Sequence, residues 1–171
     1  MYDFLVEDGT GVVGATSYAT IAQADSFASF WEYPDWALLD VEDKEKLLIR
    51  SSRLLDEQFK WRSQMLTKDQ GLLFPRVPFV DSENRRIIGV PQDLIEATAE
   101  IAILLEDHNP EDLDRVKSLV SQSYGDSSET YSGSWQENVT PFVAAFQKIA
   151  ARLKRFGYGG KTLKQVTLIR G

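Results

Sequence analysis

Few side chains in this 171-residue sequence carry reactive chemistry. There is one histidine, His108, beside Asp107, and there is no cysteine. Lack of thiols excludes cysteine nucleophiles, thiolate zinc sites and disulfide frameworks. His108 falls at the end of a helical pattern, where an imidazolium is favoured, and no second ligand or base stands at a metal-binding or catalytic spacing. Glu96 and Glu100 share a helix face at i,i+4 and could divide acid and base roles. On a largely apolar helix, a structural or intersubunit role is the simpler reading. Gly9-x-Gly11-x-x-Gly14 matches a dinucleotide fingerprint in its letters. No hydrophobic strand precedes it and no helix opens at its third glycine, so residues 1–16 read as a flexible or edge-strand lead-in. The expectation is a protein that is not an enzyme, with no catalytic residues, no cofactor and no metal.

Nucleic-acid chemistry is the other candidate. Trp61, Arg62, Arg76, Arg85 and Arg86 combine stacking surface with cations, as single-strand binding needs. Trp61 between Lys60 and Arg62 reads more simply as a buried anchor, with Arg62 capping carbonyls or pairing with an acid. A second cluster, Phe27, Phe30, Trp31, Tyr33 and Trp36, could stack bases but is expected to be core that locks two helices together. Charge bears on the same question. The net charge is −7, yet residues 1–46 hold ten acids against Lys44 and Lys46, while residues 148–171 hold seven bases and no acid. An acidic body with a basic end argues against broad duplex binding. It suits head-to-tail self-association or docking of the basic end on an acidic partner.

The elements that would position these residues are mostly helical. From Asp40 to Arg62, Leu47, Leu48, Ser51, Leu54, Leu55 and Phe59 follow one helix face. Asp40 is placed to cap it, Glu42 and Asp43 suit its first turn, and Lys60 and Arg62 would suit its last. An earlier helix starts at Thr20, which forms a capping box with Gln23, and runs to about Trp31. Pro75 holds Phe74 extended, so residues 71–76 read as a loop on the core. Residues 77–90 read as a β-hairpin or hairpin-like loop. A nearly all-round apolar helix from Pro91 to about Asp107 must be buried. Residues 111–138 are weakly patterned, with a ragged hairpin or ordered loop towards their end. Thr140 and Pro141 open a last helix whose buried face is Phe142, Phe146, Ile149, Ala150 and Leu153. Gly157, Gly159 and Gly160 stop it and read as a hinge. Beyond them lies an arm with Lys161, Leu163, Lys164, Val166, Leu168, Ile169 and Arg170, suited to docking on another chain.

The expected fold is therefore mainly α: a small bundle of about four main helices with a short β-hairpin and an extended C-terminal arm. Its divisions are a lead-in over 1–16, a helical domain over 17–156, and a hinge with docking arm over 157–171. No apolar run approaches the ~18 residues of a membrane span, and MYDFLVEDG lacks the basic start of a signal peptide.

Several stretches, taken in order, carry a resemblance. They are Ser17-Tyr18 through Phe27, Trp36, Lys46 through Asp56, Phe59-Lys60-Trp61-Arg62, Phe74-Pro75-Arg76, Ile88 to Pro91, and Glu96-Ala-Thr-Ala-Glu100. Over roughly residues 17–155 the chain resembles bacteriophage head–tail connector proteins, a group that includes proteins labelled DnaT-like single-strand-binding. It departs from that pattern at Ser63, where glycine is expected after the Trp-Arg pair. The resemblance implies a structural virion protein, an adaptor forming a ring below the portal around the DNA channel. The alternative it carries is a DnaT-like single-stranded DNA-binding protein. Implied partners are further copies of the chain in a ring (twelvefold in such adaptors), the portal protein, a downstream tail or nozzle protein, and duplex DNA passing without specific binding; no membrane is implied. The implied location is the virion neck, with host cytoplasm during assembly. Trp36, Trp61, Arg62, Phe74, Pro75 and Arg76 are the expected structural anchors, and the arm residues the docking elements.

Overall fold

The computed structural model describes residues 3–81, 83–107 and 141–159. Within them the chain is mainly α, with four helices and two short two-stranded sheets. His108, the 111–138 region, Thr140, Gly160 and the 161–170 arm lie outside the described residues.

Helix α1 spans Ile21–Phe30, and its capping box is formed as expected, with the Thr20 hydroxyl accepting from the Gln23 amide. A 3-10 turn, Asp35–Leu38, leads to α2, Val41–Gln58. Asp40 caps α2 by accepting from the Asp43 amide at 2.8 Å. Lys46 bridges Glu42 at i,i+4, 2.9 Å away. Such exposed pairs contribute only tenths of a kcal/mol each, so the helix is held chiefly by its buried face. That face is the expected one: Leu47, Leu48, Ser51, Leu54 and Leu55 are buried. It packs on α3, Gln92–Glu106, where the Ser51 hydroxyl donates to the Thr98 carbonyl at 2.6 Å. Eight residues of α3 are buried, as its all-round apolar pattern requires. Helix α4, Pro141–Leu153, closes the bundle with Phe142, Phe146, Ile149, Ala150 and Leu153 inward.

Helix α2 ends four residues before the expected Arg62. At Phe59 the backbone turns extended (φ −109°, ψ 137°) and enters strand β1, Phe59–Trp61. The reason is a change of period: Phe59 and Trp61 both face the core while Lys60 faces water, which only a two-residue repeat allows. Their rings stack 5.1 Å apart. Lys60 and Arg62 therefore do not serve the helix C-terminus.

The expected hinge is also different where it is described. Gly157–Gly159 forms a strand antiparallel to β1, with Trp61 opposite Gly157 and Phe59 opposite Gly159. A side chain at Gly157 would run into the Trp61 ring and the Lys60 carbonyl, so the glycine there admits an aromatic neighbour. Strands β2, Gln64–Met65, and β3, Arg76–Val77, form the second sheet, so this last strand is β4. Residues 79–87 make the hairpin-like loop, tied by a Val80–Arg86 bridge.

The lead-in is not an edge strand of either sheet; isolated bridges tie it to the body. Val6 bridges Ser17, Val13 bridges Gln70, and Glu7 is buried. Its carboxylate accepts from the amides of Gly9, Gly11 and Val12 at 2.8–2.9 Å. Gly9 and Gly11 hold φ of +97° and +82°, which aims successive amides at one point. The glycine motif thus does build an anion cradle, and the chain fills it with its own carboxylate.

Candidate functional site

The most connected polar group lies where α2 gives way to β1. Asp56 accepts from the Tyr18 hydroxyl at 2.6 Å, the Trp61 indole at 2.9 Å and the Leu73 amide at 2.9 Å. Tyr18 accepts in turn from the Phe74 amide at 3.0 Å. Burial holds the Asp56 carboxyl above its ordinary value, against these hydrogen bonds and the nearby Arg76 charge. Burial, then the Asp56 charge, pushes the Tyr18 phenol well up. All three donors come from the fold itself, which makes Asp56 a fastener for the 72–75 loop. It has no need of a substrate.

Of the anchors singled out from sequence, all but Trp36 lie around it, and Trp36 sits at the other end of α2 beside Asp25. Trp36, Trp61, Phe74 and Pro75 are buried, and Arg62 and Arg76 are half-buried. Carbonyl capping falls to Arg76: its guanidinium donates to the carbonyls of Arg62, Ser63 and Leu73. Ser63 holds φ +64°, a left-handed backbone in which glycine is unstrained. The glycine that the resemblance leads one to expect there would hold this conformation without strain.

The single-strand set is not brought together as a stacking site. Trp61 is 5% exposed, wedged against Phe59 and Phe74. Arg85 is engaged by Asp81 at 2.9 Å and Glu83 at 3.0 Å. Arg86, like Lys60 and Lys154, is exposed. Phe59, Phe74, Phe79 and Phe156 are buried with Trp61, beneath the surface that carries these cations, and Tyr158 stands opposite Lys60 in the β1–β4 register.

The opposite end of α2 has the reverse character. Of the aromatic cluster expected to be core, only Trp36 is fully buried, its indole donating to Asp25 at 2.8 Å with Lys44 over the ring. Phe30 is 76% exposed, Trp31 59% and Tyr33 37%, with Phe27 half-buried. They stand out because α1 ends at Phe30 and the chain turns away at Glu32 (φ 59°), and no segment among the described residues covers them. Phe30 and Trp31 meet edge to face, 5.2 Å apart. With Ala22, Phe27, Ile95 and Ala99 they border a groove of about 500 Å³ between α1 and α3, which Glu96 also lines. This exposed aromatic surface escaped the sequence reading: Phe30 falls off the Ala24–Phe27–Ala28 stripe, but Trp31 keeps its spacing and is turned out only because the helix ends at Phe30.

Glu96 and Glu100 each have a partner: Gln92 donates to Glu96, and Arg152 pairs with Glu100 at 2.8 Å. Arg155 pairs with Asp93. Among the described residues no three acidic or imidazole groups converge as metal ligands would. No helix among them is long and apolar enough to cross a membrane.

A small, mainly α body, with a covered aromatic layer at one end of α2 and exposed aromatics at the other, defines the class at the level of architecture. The chain belongs to the family described as "Putative DnaT-like ssDNA binding protein", whose model matches residues 2–171. No curated protein and no solved structure matches it.

Proposed function

We propose that the protein binds single-stranded DNA, and that it does so through phosphate contacts at its cationic strand end. The observation that carries this reading is the family match across residues 2–171 to proteins described as single-strand-binding. The exposed Lys60, Arg86 and Lys154 supply the charge at that end. With Trp61 buried, affinity would rest on counterion release and fall steeply with salt. A labelled oligothymidylate followed by fluorescence anisotropy tests it. Binding at low salt should weaken at least tenfold on Lys60→Glu with Arg86→Glu, and should ignore Trp31→Ala. A flat low-salt titration would sink the reading.

A second reading is favoured by the exposed Phe30, Trp31, Leu38 and Val41 at the acidic end, a surface suited to subunit contacts. In it the protein is a head–tail adaptor of the virion neck, ringing the DNA channel between portal and tail protein after assembly in host cytoplasm. An acidic channel wall would let duplex DNA slide without sticking. Neither reading involves catalysis. Mass measurement with and without portal separates them, since only an adaptor becomes a ring on the portal.

A further inference from the structure

We propose that a nucleobase of the bound single strand stacks at Tyr158, on the outer face of the β1–β4 ribbon beside Lys60. The inference rests on the single-strand reading above and deepens it by naming the group that meets a base.

Cations alone leave the preference for single strands unexplained. Lys60, Arg86 and Lys154 are exposed and attract the phosphates of any nucleic acid. Duplex DNA, with one charge per about 1.7 Å of axis, draws such cations more strongly than a single strand does. What a single strand offers and a duplex withholds is an open base face, and an aromatic ring accepts it with little regard to sequence. Most rings at this end belong to the core: Phe59, Trp61, Phe74, Phe79 and Phe156 are buried.

The register singles out one further position. Phe59 and Trp61 face inward while Lys60 faces water. Lys60 pairs with Tyr158, and directly opposed positions of an antiparallel pair share a face, their Cβ atoms about 5 Å apart. Position 158 thus belongs to the outer, cationic face. Its strand neighbours are glycines opposite Phe59 and Trp61, and a Cβ at Gly157 would meet the Trp61 ring at 2.9 Å. The core here is built from β1 and needs no ring from β4.

The cations gather at the same ribbon. Phe79 lies 6.1 Å from Phe156, and its carbonyl accepts from the Ile87 amide at 3.0 Å. That contact fastens the loop carrying Arg86 to the residue before β4. Lys154 closes α4 just ahead of the same strand. Phosphates flanking a base at position 158 therefore meet positive charge. The exposed pair Phe30 and Trp31 lacks this setting, since among the described residues their groove is lined by Glu96 and by no cation.

The full-length protein is titrated with labelled oligothymidylate, with an abasic strand of equal length, and with duplex. Tyr158→Ala should weaken oligothymidylate binding about tenfold while leaving the other two ligands within about twofold of the parent. Its salt slope should match the parent's, whereas Lys60→Glu should weaken all three ligands and lower the slope. Tyr158→Phe should bind as the parent does, because stacking uses the ring and not the hydroxyl. Circular dichroism checks the fold. Photo-crosslinking a 5-iodouracil strand to the parent needs no substitution, and its adduct should map to Tyr158. Tyr158→Ala that holds oligothymidylate like the parent overturns the inference, as does an equal loss for all three ligands. An adduct confined to other residues overturns it too. In each of these outcomes the parent still binds the strand; a parent that binds none at low salt sinks the single-strand reading and this inference together.

Discussion

The two ends of α2 use similar residues to opposite effect. At its C-terminal end Phe59, Trp61, Phe74 and Phe79 are buried, and a carboxylate inside that layer satisfies the polar atoms the aromatics bring. At its N-terminal end Phe30, Trp31 and Tyr33 face water. The distinction lies in what returns to cover them. The loop of residues 72–79 comes back over Trp61, with Phe74 edge-on to it at 5.4 Å and Phe79 edge-on to Phe74 at 5.2 Å. No described segment passes over Trp31. Aromatic residues close in sequence form core only where a distant strand or loop gives them a second side.

The largest test of this contrast removes the fastener. Asp56→Ala leaves the Tyr18 hydroxyl, Trp61 indole and Leu73 amide without their acceptor, at about 1–3 kcal/mol for each buried orphan. Some relaxation is expected, so the loss in denaturant unfolding should be about 3–5 kcal/mol. A loss under about 1 kcal/mol would mean the loop is held without Asp56.

A second test reads the same carboxyl by pH. Burial raises its folded pKa above the ordinary value of 3.8, so between those two values the native state binds more protons than the unfolded chain. Stability relative to Asp56→Asn should therefore fall as pH rises through that window and level off above it. A difference that rises with pH would place the folded pKa below 3.8.

Ser63→Gly is a smaller effect at the same end. It relieves a left-handed backbone, worth about 1 kcal/mol, and gives up the hydroxyl's bond to the Pro78 carbonyl. The expected result is a gain of up to about 1 kcal/mol; a clear loss would show that the hydroxyl matters more than the strain. Smallest of all is Trp31→Ala, which should move stability by no more than about 0.5 kcal/mol, since surface substitutions rarely do more. A large loss there would erase the contrast between the two ends.

Much of the architecture was legible in order along the chain. Helix starts at Thr20 and Asp40, the buried stripe of α2, the all-round burial of α3 and the inward face of α4 follow from caps and periodicity. The misreadings share one cause. Phe59 carries the α2 stripe one place further by spacing, yet its partner across β1 is Gly159, a hundred residues away. The Gly9–Gly14 segment looked loose because its anion is not a ligand but Glu7. The aromatic cluster at residues 27–36 was expected to be core, yet Phe30, Trp31 and Tyr33 are exposed, whereas Trp61, read as a buried anchor, is covered by Phe59 and Phe74.

By itself the sequence determined the helices, their buried faces and the split of charge between the first and last parts of the chain, because capping, periodicity and charge are local or additive. Only the tertiary structure decided which aromatics are covered, that Asp56 is a hub, and that the glycines at 157 and 159 make a strand. Those outcomes depend on contacts between residues far apart in the chain, and no spacing rule within one segment contains them.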